Sequence, residues 1–250
     1  MKQNVLNLNR FYSMLKYNIR MYGKSYLTFY GAAFGIMIFV FLNNIIFMRF
    51  ISPNSFSSTF TNLIFFTSMV VPSINFRELR NKTLATNYLT IPASIFEKFL
   101  SSFVITLFGG FLAAILVFVL SNILAIAFGV LFQVKVEFFD FWKWDILKQS
   151  LILYLVFHTL FFFGSTAFKK NPIVQTFLWS VISFIVIIIA FFYIITNIFQ
   201  TNSLNFNFLY FDEIQATLDI IRIIGIIVFS LVIFLLWLAS YFKIKEKQVI

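Results

Sequence analysis

From Phe99 to Val134 the chain runs 36 residues without a charged side chain, and from Ser25 to Met48 it does so for 24. About 20 predominantly apolar residues are enough to cross a bilayer as a helix, and in lipid every backbone N–H and C=O must find its partner within the segment. Runs of this kind fold as membrane helices. Only 11% of the 250 residues are charged and 61% are hydrophobic, against roughly 25% charged in soluble domains. The expected fold class is all-α: a polytopic membrane protein forming a single transmembrane domain over 1–250.

Six spans are predicted, at about 25–48, 56–74, 94–119, 147–168, 173–199 and 220–242. The third uncharged run exceeds a simple crossing, so its remainder is expected to bend along the outer surface. Pro72 is expected to kink the second span near its end, and Gly31 with Gly35 forms a GxxxG on the first, a spacing that permits close helix packing. The segment VKVEFFDFWKWDILK alternates charge with Phe and Trp, as an interfacial aromatic belt does. Asn171 and Pro172 read as cap and first helical position of the fifth span.

The charges fall in a pattern. Residues 1–24 hold Lys2, Arg10, Lys16, Arg20 and Lys24 and no acid. At 100° per residue Leu8, Phe11, Tyr12, Leu15, Ile19 and Tyr22 share a face opposite Lys16, Arg20 and Lys24. That predicts a separate amphipathic helix over 5–24, lying in the membrane interface and in contact with the lipid bilayer. Six spans put both termini on one side. The segments on that side carry 14 Lys/Arg, and those on the other carry Arg49, Lys135, Lys143, Lys148 and Arg222. The positive-inside rule places the termini and the 75–98 loop in the cytoplasm. The net charge of +10 is therefore a topology signal and implies no nucleic-acid partner.

The 75–98 loop, NFRELRNKTLATNYLTIPASIFEK, has helix signals at each end. Asn75 with Glu78 reads as an N-cap with a reciprocal Glu, and Ser94 with Glu97 repeats the pattern. Pro92 breaks any continuous helix between them. A short helix, a turn at Thr90 to Ala93 and a new helix from Ser94 are expected. A bare connection could be much shorter, which suggests a docking segment.

Catalytic and metal chemistry lack candidates. Cysteine is absent and His158 is the sole histidine, and a single histidine builds no metal site; its expected role is a ring satisfied by a neighbouring helix. Gly23-Lys24-Ser25 lacks the first glycine of a phosphate loop, since residue 18 is Asn. HExxH and GxSxG are also absent, so no metal ligands, resident cofactor or enzymatic activity are expected. Asn81-Lys82-Thr83 matches a glycosylation triplet, but its expected cytoplasmic side precludes use. The predicted spans hold no aspartate, whereas an ion-coupled transporter normally places a carboxylate near the bilayer centre. Polar residues within spans, namely Asn62, Thr67 and Ser68 on the second and Ser180 and Ser183 on the fifth, are candidates to line a path or to tie helices together.

Taken together, the amphipathic helix, the six spans and the structured basic loop resemble the permease subunit of type-2 ATP-binding-cassette exporters in its small bacterial form. IPASIFEKF is similar to the family's LP-x-S-x-x-EK pattern, with Ile91 in place of the leucine, and FKKNP and YFKIKEKQV also resemble small members of the group. The resemblance implies a bacterial cytoplasmic membrane location and pairing with a second permease copy or a sister chain. It also implies a separate ABC-type ATPase that carries ATP and Mg. It further implies a coupling helix within about Arg77 to Tyr88, with Arg77, Glu78, Arg80, Lys82 and Glu97 as ATPase-coupling residues. The second and fifth helices would line the dimer interface and the path, and the stretch with Asp212, Glu213 and Asp219 would form small re-entrant or external helices. The competing readings are an ATP-independent transporter or channel and a non-transporting membrane scaffold.

Overall fold

The computed structural model describes residues 6–80, 82–136, 144–201 and 211–247. Its helices are α1 (Leu8–Asn43), α2 (Pro53–Ile74), α3 (Lys82–Leu89), α4 (Ile95–Val104), α5 (Gly110–Leu131), α6 (Trp144–Ala167), α7 (Pro172–Thr201) and α8 (Phe211–Glu246). A π-helical turn, Asn44–Met48, extends α1, and another, Ile105–Gly109, joins α4 to α5 without a break. Besides a 3₁₀ turn at Arg77–Arg80, the other regular structure among the described residues is a two-residue parallel pairing of Phe50 with Lys135 and Ile51 with Val136.

Five of these helical segments are long and apolar enough to cross a membrane: Leu8–Met48, Ile95–Leu131, Ile146–Ala167, Pro172–Tyr193 and Gly225–Glu246. They are compatible with a multi-pass membrane protein. The second predicted span, α2, has the length of a crossing at 22 residues but is not among the five. Its sequence is rich in Ser and Thr, and its position accounts for that: it packs against α6, α5, α1 and α7. A helix wrapped by others need not be apolar all round. Its hydroxyls mostly turn onto their own backbone, as Thr59 does on Ser55 O at 2.6 Å and Ser73 on Met69 O at 2.7 Å, so they add little polar surface.

Three expectations are corrected. No break separates an interfacial helix from the first span, because α1 is continuous from Leu8 to Asn43. Nothing in 20–28 forces an end, since an isolated glycine such as Gly23 weakens a helix without stopping it. The third run does not bend after residue 119 either, and stays helical to Leu131. α8 starts at Phe211, so residues 211–219 form no separate external helix; the rest of that polar stretch, and residues 137–143 of the aromatic segment, lie outside the described residues. Elsewhere the pattern holds. Pro72 sits in the last turn of α2, and α7 opens on Pro172 after Asn171 at φ 41°.

The core is aromatic. Phe41, Phe56, Phe60 and Phe118 are buried between α1, α2 and α5, with Phe60 and Phe118 rings 4.7 Å apart. A second cluster joins Met14, Phe76, Leu79, Tyr88, Phe162 and Ile244, drawn from α1, the 75–98 loop, α6 and α8. Between α6 and α7 the backbones approach closely at Gly164, where a Cβ would fall 1.7 Å from Thr176 Oγ1. Around Gly31 and Gly35 there is open space, so the GxxxG packs against nothing among the described residues. α7 is exposed on every side from Val181 to Tyr193.

Candidate functional site: the 75–98 loop and the polar lattice beneath it

α2 ends where Asn75 turns to extended backbone and Phe76 enters the left-handed region at φ 56°, a conformation that costs a non-glycine residue about 1–2 kcal/mol. Phe76 is fully buried against Phe162, edge to face at 5.6 Å, and its N–H donates to Tyr22 Oη at 3.1 Å. Packing holds the turn. A 3₁₀ turn, Arg77–Arg80, and α3 follow, then the turn at residue 90 and a complete Ser94–Glu97 capping box. The predicted helix, turn and new helix are present.

The Asn75–Glu78 cap is not. Asn75 caps no helix start: its side chain accepts from Tyr26 Oη at 2.6 Å and donates to Ser102 O at 3.3 Å. Glu78, only 3% exposed, accepts a hydrogen bond from Tyr22 Oη. Arg80 Nη2 donates to Ser73 O at 2.5 Å and to Asn75 O at 3.3 Å, placing a cation on the open carbonyls at the end of α2. Burial pushes the Arg80 guanidinium down from its ordinary value, opposed by Tyr22 and Glu78. Burial, with the Glu78 charge second, pushes the neighbouring Tyr88 phenol up.

At the other end of the loop Glu97 is fully buried. It accepts from Asn7 N and Ser94 N, each at 2.7 Å, and from Arg10 Nε at 3.2 Å, with Arg10 Nη2 at 3.1 Å. Of the five residues that the resemblance assigns to coupling, Glu78, Glu97 and Arg80 are thus held inside the protein. Arg77 is exposed. Lys82 begins α3, with its side chain outside the described set. A hollow of about 390 Å³ lies between the first turns of α1 and residues 91–93, with Arg10, Tyr17 and Pro92 in its wall.

Sequence reasoning missed the lattice that anchors this loop. Asn18, Tyr22, Tyr26 and Tyr30 recur every fourth residue on α1. Asn18 donates to Ser101 Oγ at 3.0 Å and Ser102 Oγ at 3.2 Å, and Tyr30 donates to Gly110 O at 2.8 Å. The stripe therefore faces α4 and the start of α5. The four-residue recurrence of polar-tipped side chains was the available signal, and grouping α1 by apolarity alone obscured it. Tyr22 was placed on one face with Leu8, Tyr12 and Ile19, yet those three are exposed and Tyr22 is buried. Lys16, Arg20 and Lys24 are exposed, as expected.

The lattice continues inward to His158. Thr106 gives its hydroxyl proton to Ser102 O at 2.9 Å, so His158 Nε2, 3.0 Å away, must be the donor to Thr106 Oγ1. The ring stacks on Phe162 at 5.6 Å, the expected structural placement. The path candidates do not converge. Thr67 and Ser68 are fully buried and Asn62 is exposed; Ser68 bonds Phe65 O at 2.6 Å and Ser180 bonds Phe177 O at 2.8 Å, each within its own helix. Ser183 faces outward on α7. Among the described residues no cluster of His, Cys, Asp and Glu could hold a metal ion. Comparison with protein-family profiles, with curated proteins and with solved structures returns no match to this chain.

Proposed function

We propose that this chain is the membrane-spanning subunit of an ATP-driven exporter, with six crossings including α2 and both termini in the cytoplasm. Two such subunits pair, and separate ATPase subunits that bind ATP and Mg dock beneath them. The observation that carries this reading is the anchoring of the 75–98 loop. Phe76, Leu79 and Tyr88 pack with Met14, Phe162 and Ile244, while Asn75, Glu78 and Glu97 are hydrogen-bonded to α1. A push on α3 therefore reaches α1, α4, α6 and α8 together. Loosely tethered loops transmit no such motion, whereas alternating access requires an element whose two positions bias the helices. Exposed Arg77 and the hollow beside Pro92 form the face on which the ATPase docks.

The test is purification of the tagged chain from gently solubilised native membranes. A Walker-motif ATPase is expected at about equal stoichiometry, and Arg77→Glu should reduce its recovery while leaving insertion intact. Recovery of a folded chain alone, or an unchanged complex with Arg77→Glu, counts against the reading. Arg80 is a poor probe, because it caps α2 and its loss damages the loop itself.

A further inference from the structure

A groove of about 470 Å³ runs between α1 and α5. Ile19, Gly23 and Leu27 line one wall and Ile105, Gly109 and Leu116 the other. Two tyrosines also border it, but Tyr26 Oη is engaged by Asn75 and Tyr30 Oη by Gly110 O, so the groove presents carbon. Asn18 pairs with Ser101 and Tyr30 with Gly110, which makes the two helices run parallel. The stretch of α1 that borders the groove, from Ile19 to Tyr30, spans about 17 Å at ~1.5 Å per residue. One leaflet's hydrocarbon is about 15 Å deep. The dimensions match one acyl chain.

The cytoplasmic end of this groove is cationic. At about 100° per residue Lys16 lies about 60° from Ile19 and Arg20 lies about 60° from Gly23, so the basic face adjoins the lining stripe of α1 rather than standing opposite Ile19. Helical side chains lean toward the N-terminus, which carries these two toward the headgroup level. Both are exposed, and neither makes an ion pair among the described residues. The two acids hydrogen-bonded to α1 are already engaged, Glu97 by Arg10 and Glu78 by Tyr22.

We infer that this groove is a binding site for an anionic phospholipid of the cytoplasmic leaflet. One acyl chain lies between α1 and α5, and the phosphate sits on Lys16 and Arg20. The inference rests on the membrane placement of α1 and α5 and the cytoplasmic side assigned to the N-terminus. It does not need the ATPase.

The test uses the full chain in phosphatidylcholine vesicles doped with phosphatidylglycerol or phosphatidylcholine bearing a diazirine in one acyl chain. After photolysis, labelled peptides are mapped by mass spectrometry. Phosphatidylglycerol should label residues 19–30 and 105–117 roughly 25-fold more than phosphatidylcholine, since each of the two cations near the surface contributes about fivefold. Lys16→Gln with Arg20→Gln should remove that preference and leave phosphatidylcholine labelling unchanged. Gly23→Leu, at a position with open space around it, should fill the groove and abolish labelling by both lipids, with helicity and elution volume checked first. Equal labelling by both headgroups in the unaltered protein, label spread over other helices, or a preference that survives the double substitution would each overturn the proposal. Absence of the preference in an unaltered protein that still recovers its ATPase would sink this site alone.

Discussion

Tyr22 shows how much one polar tip holds here. Its hydroxyl donates to Glu78 and accepts from Phe76 N–H, so one atom serves a buried carboxylate and the amide of a left-handed residue. Tyr22→Phe leaves both without their partner, which should cost about 1–3 kcal/mol. Thermal unfolding in detergent should show a clear drop against Tyr12→Phe, a control at an exposed position; equal melting of the two would mean that Glu78 finds another donor. Gly164 is constrained by space. With a Cβ only 1.7 Å from Thr176 Oγ1 and 2.8 Å from Thr176 Cβ, Gly164→Ala forces α6 and α7 apart and should cost about 1–3 kcal/mol. Thr176→Ala in that background should restore stability only in part, because the second contact persists. Full restoration would show that Thr176 Oγ1 and Cγ2 made the clash and that Cβ adds nothing to it.

Among the elements, the start of α4 and the start of α1 share one carboxylate. Glu97 closes the capping box and also holds Asn7 N and Arg10. Ser94→Ala removes the cap and should cost about 1 kcal/mol, leaving Glu97 on its other donors. Glu97→Ala releases the first turn of α1 as well, and trypsin should then cleave after Arg10 much faster than in Ser94→Ala. Equal cleavage rates in the two variants would mean that the first turn is held by something else. α6 and α8 are joined in a related way, by Lys247 Nζ donating to Thr166 O at 2.8 Å, a cation placed on the last turn of α6.

For the molecule as a whole the open structural question is whether α2 crosses. The chain has no cysteine, so single cysteines report sidedness without background. Asn54, in the first turn of α2, and Thr90, in the loop that follows its other end, are both exposed. In intact cells an impermeant maleimide should label Asn54→Cys, while Thr90→Cys should react only after permeabilisation. Labelling of both from the same side would remove α2 from the set of crossings, and the six-span proposal with it.

The membrane class, the capping box at Ser94 and the opening of α7 at Pro172 were legible in the sequence, because each rests on local chemistry. Uncharged runs must bury their backbone, a Ser and a Glu three residues apart serve each other, and proline takes a first helical turn. The partners of Asn75, Glu78 and Glu97 were not legible. They bond to Tyr26, Tyr22, Asn7 and Arg10, residues 49 to 90 positions away along the chain in the same set of bonds. A spacing rule sees only neighbours within a turn or two. Which face of α1 is buried was likewise decided in three dimensions. In lipid, helices are held by packing and by hydrogen bonds between them, so the buried stripe follows Asn18, Tyr22, Tyr26 and Tyr30 rather than the most apolar side. The sequence determined by itself that this chain forms helices long and apolar enough to cross a membrane; the tertiary structure decided which polar residues hold its helices together.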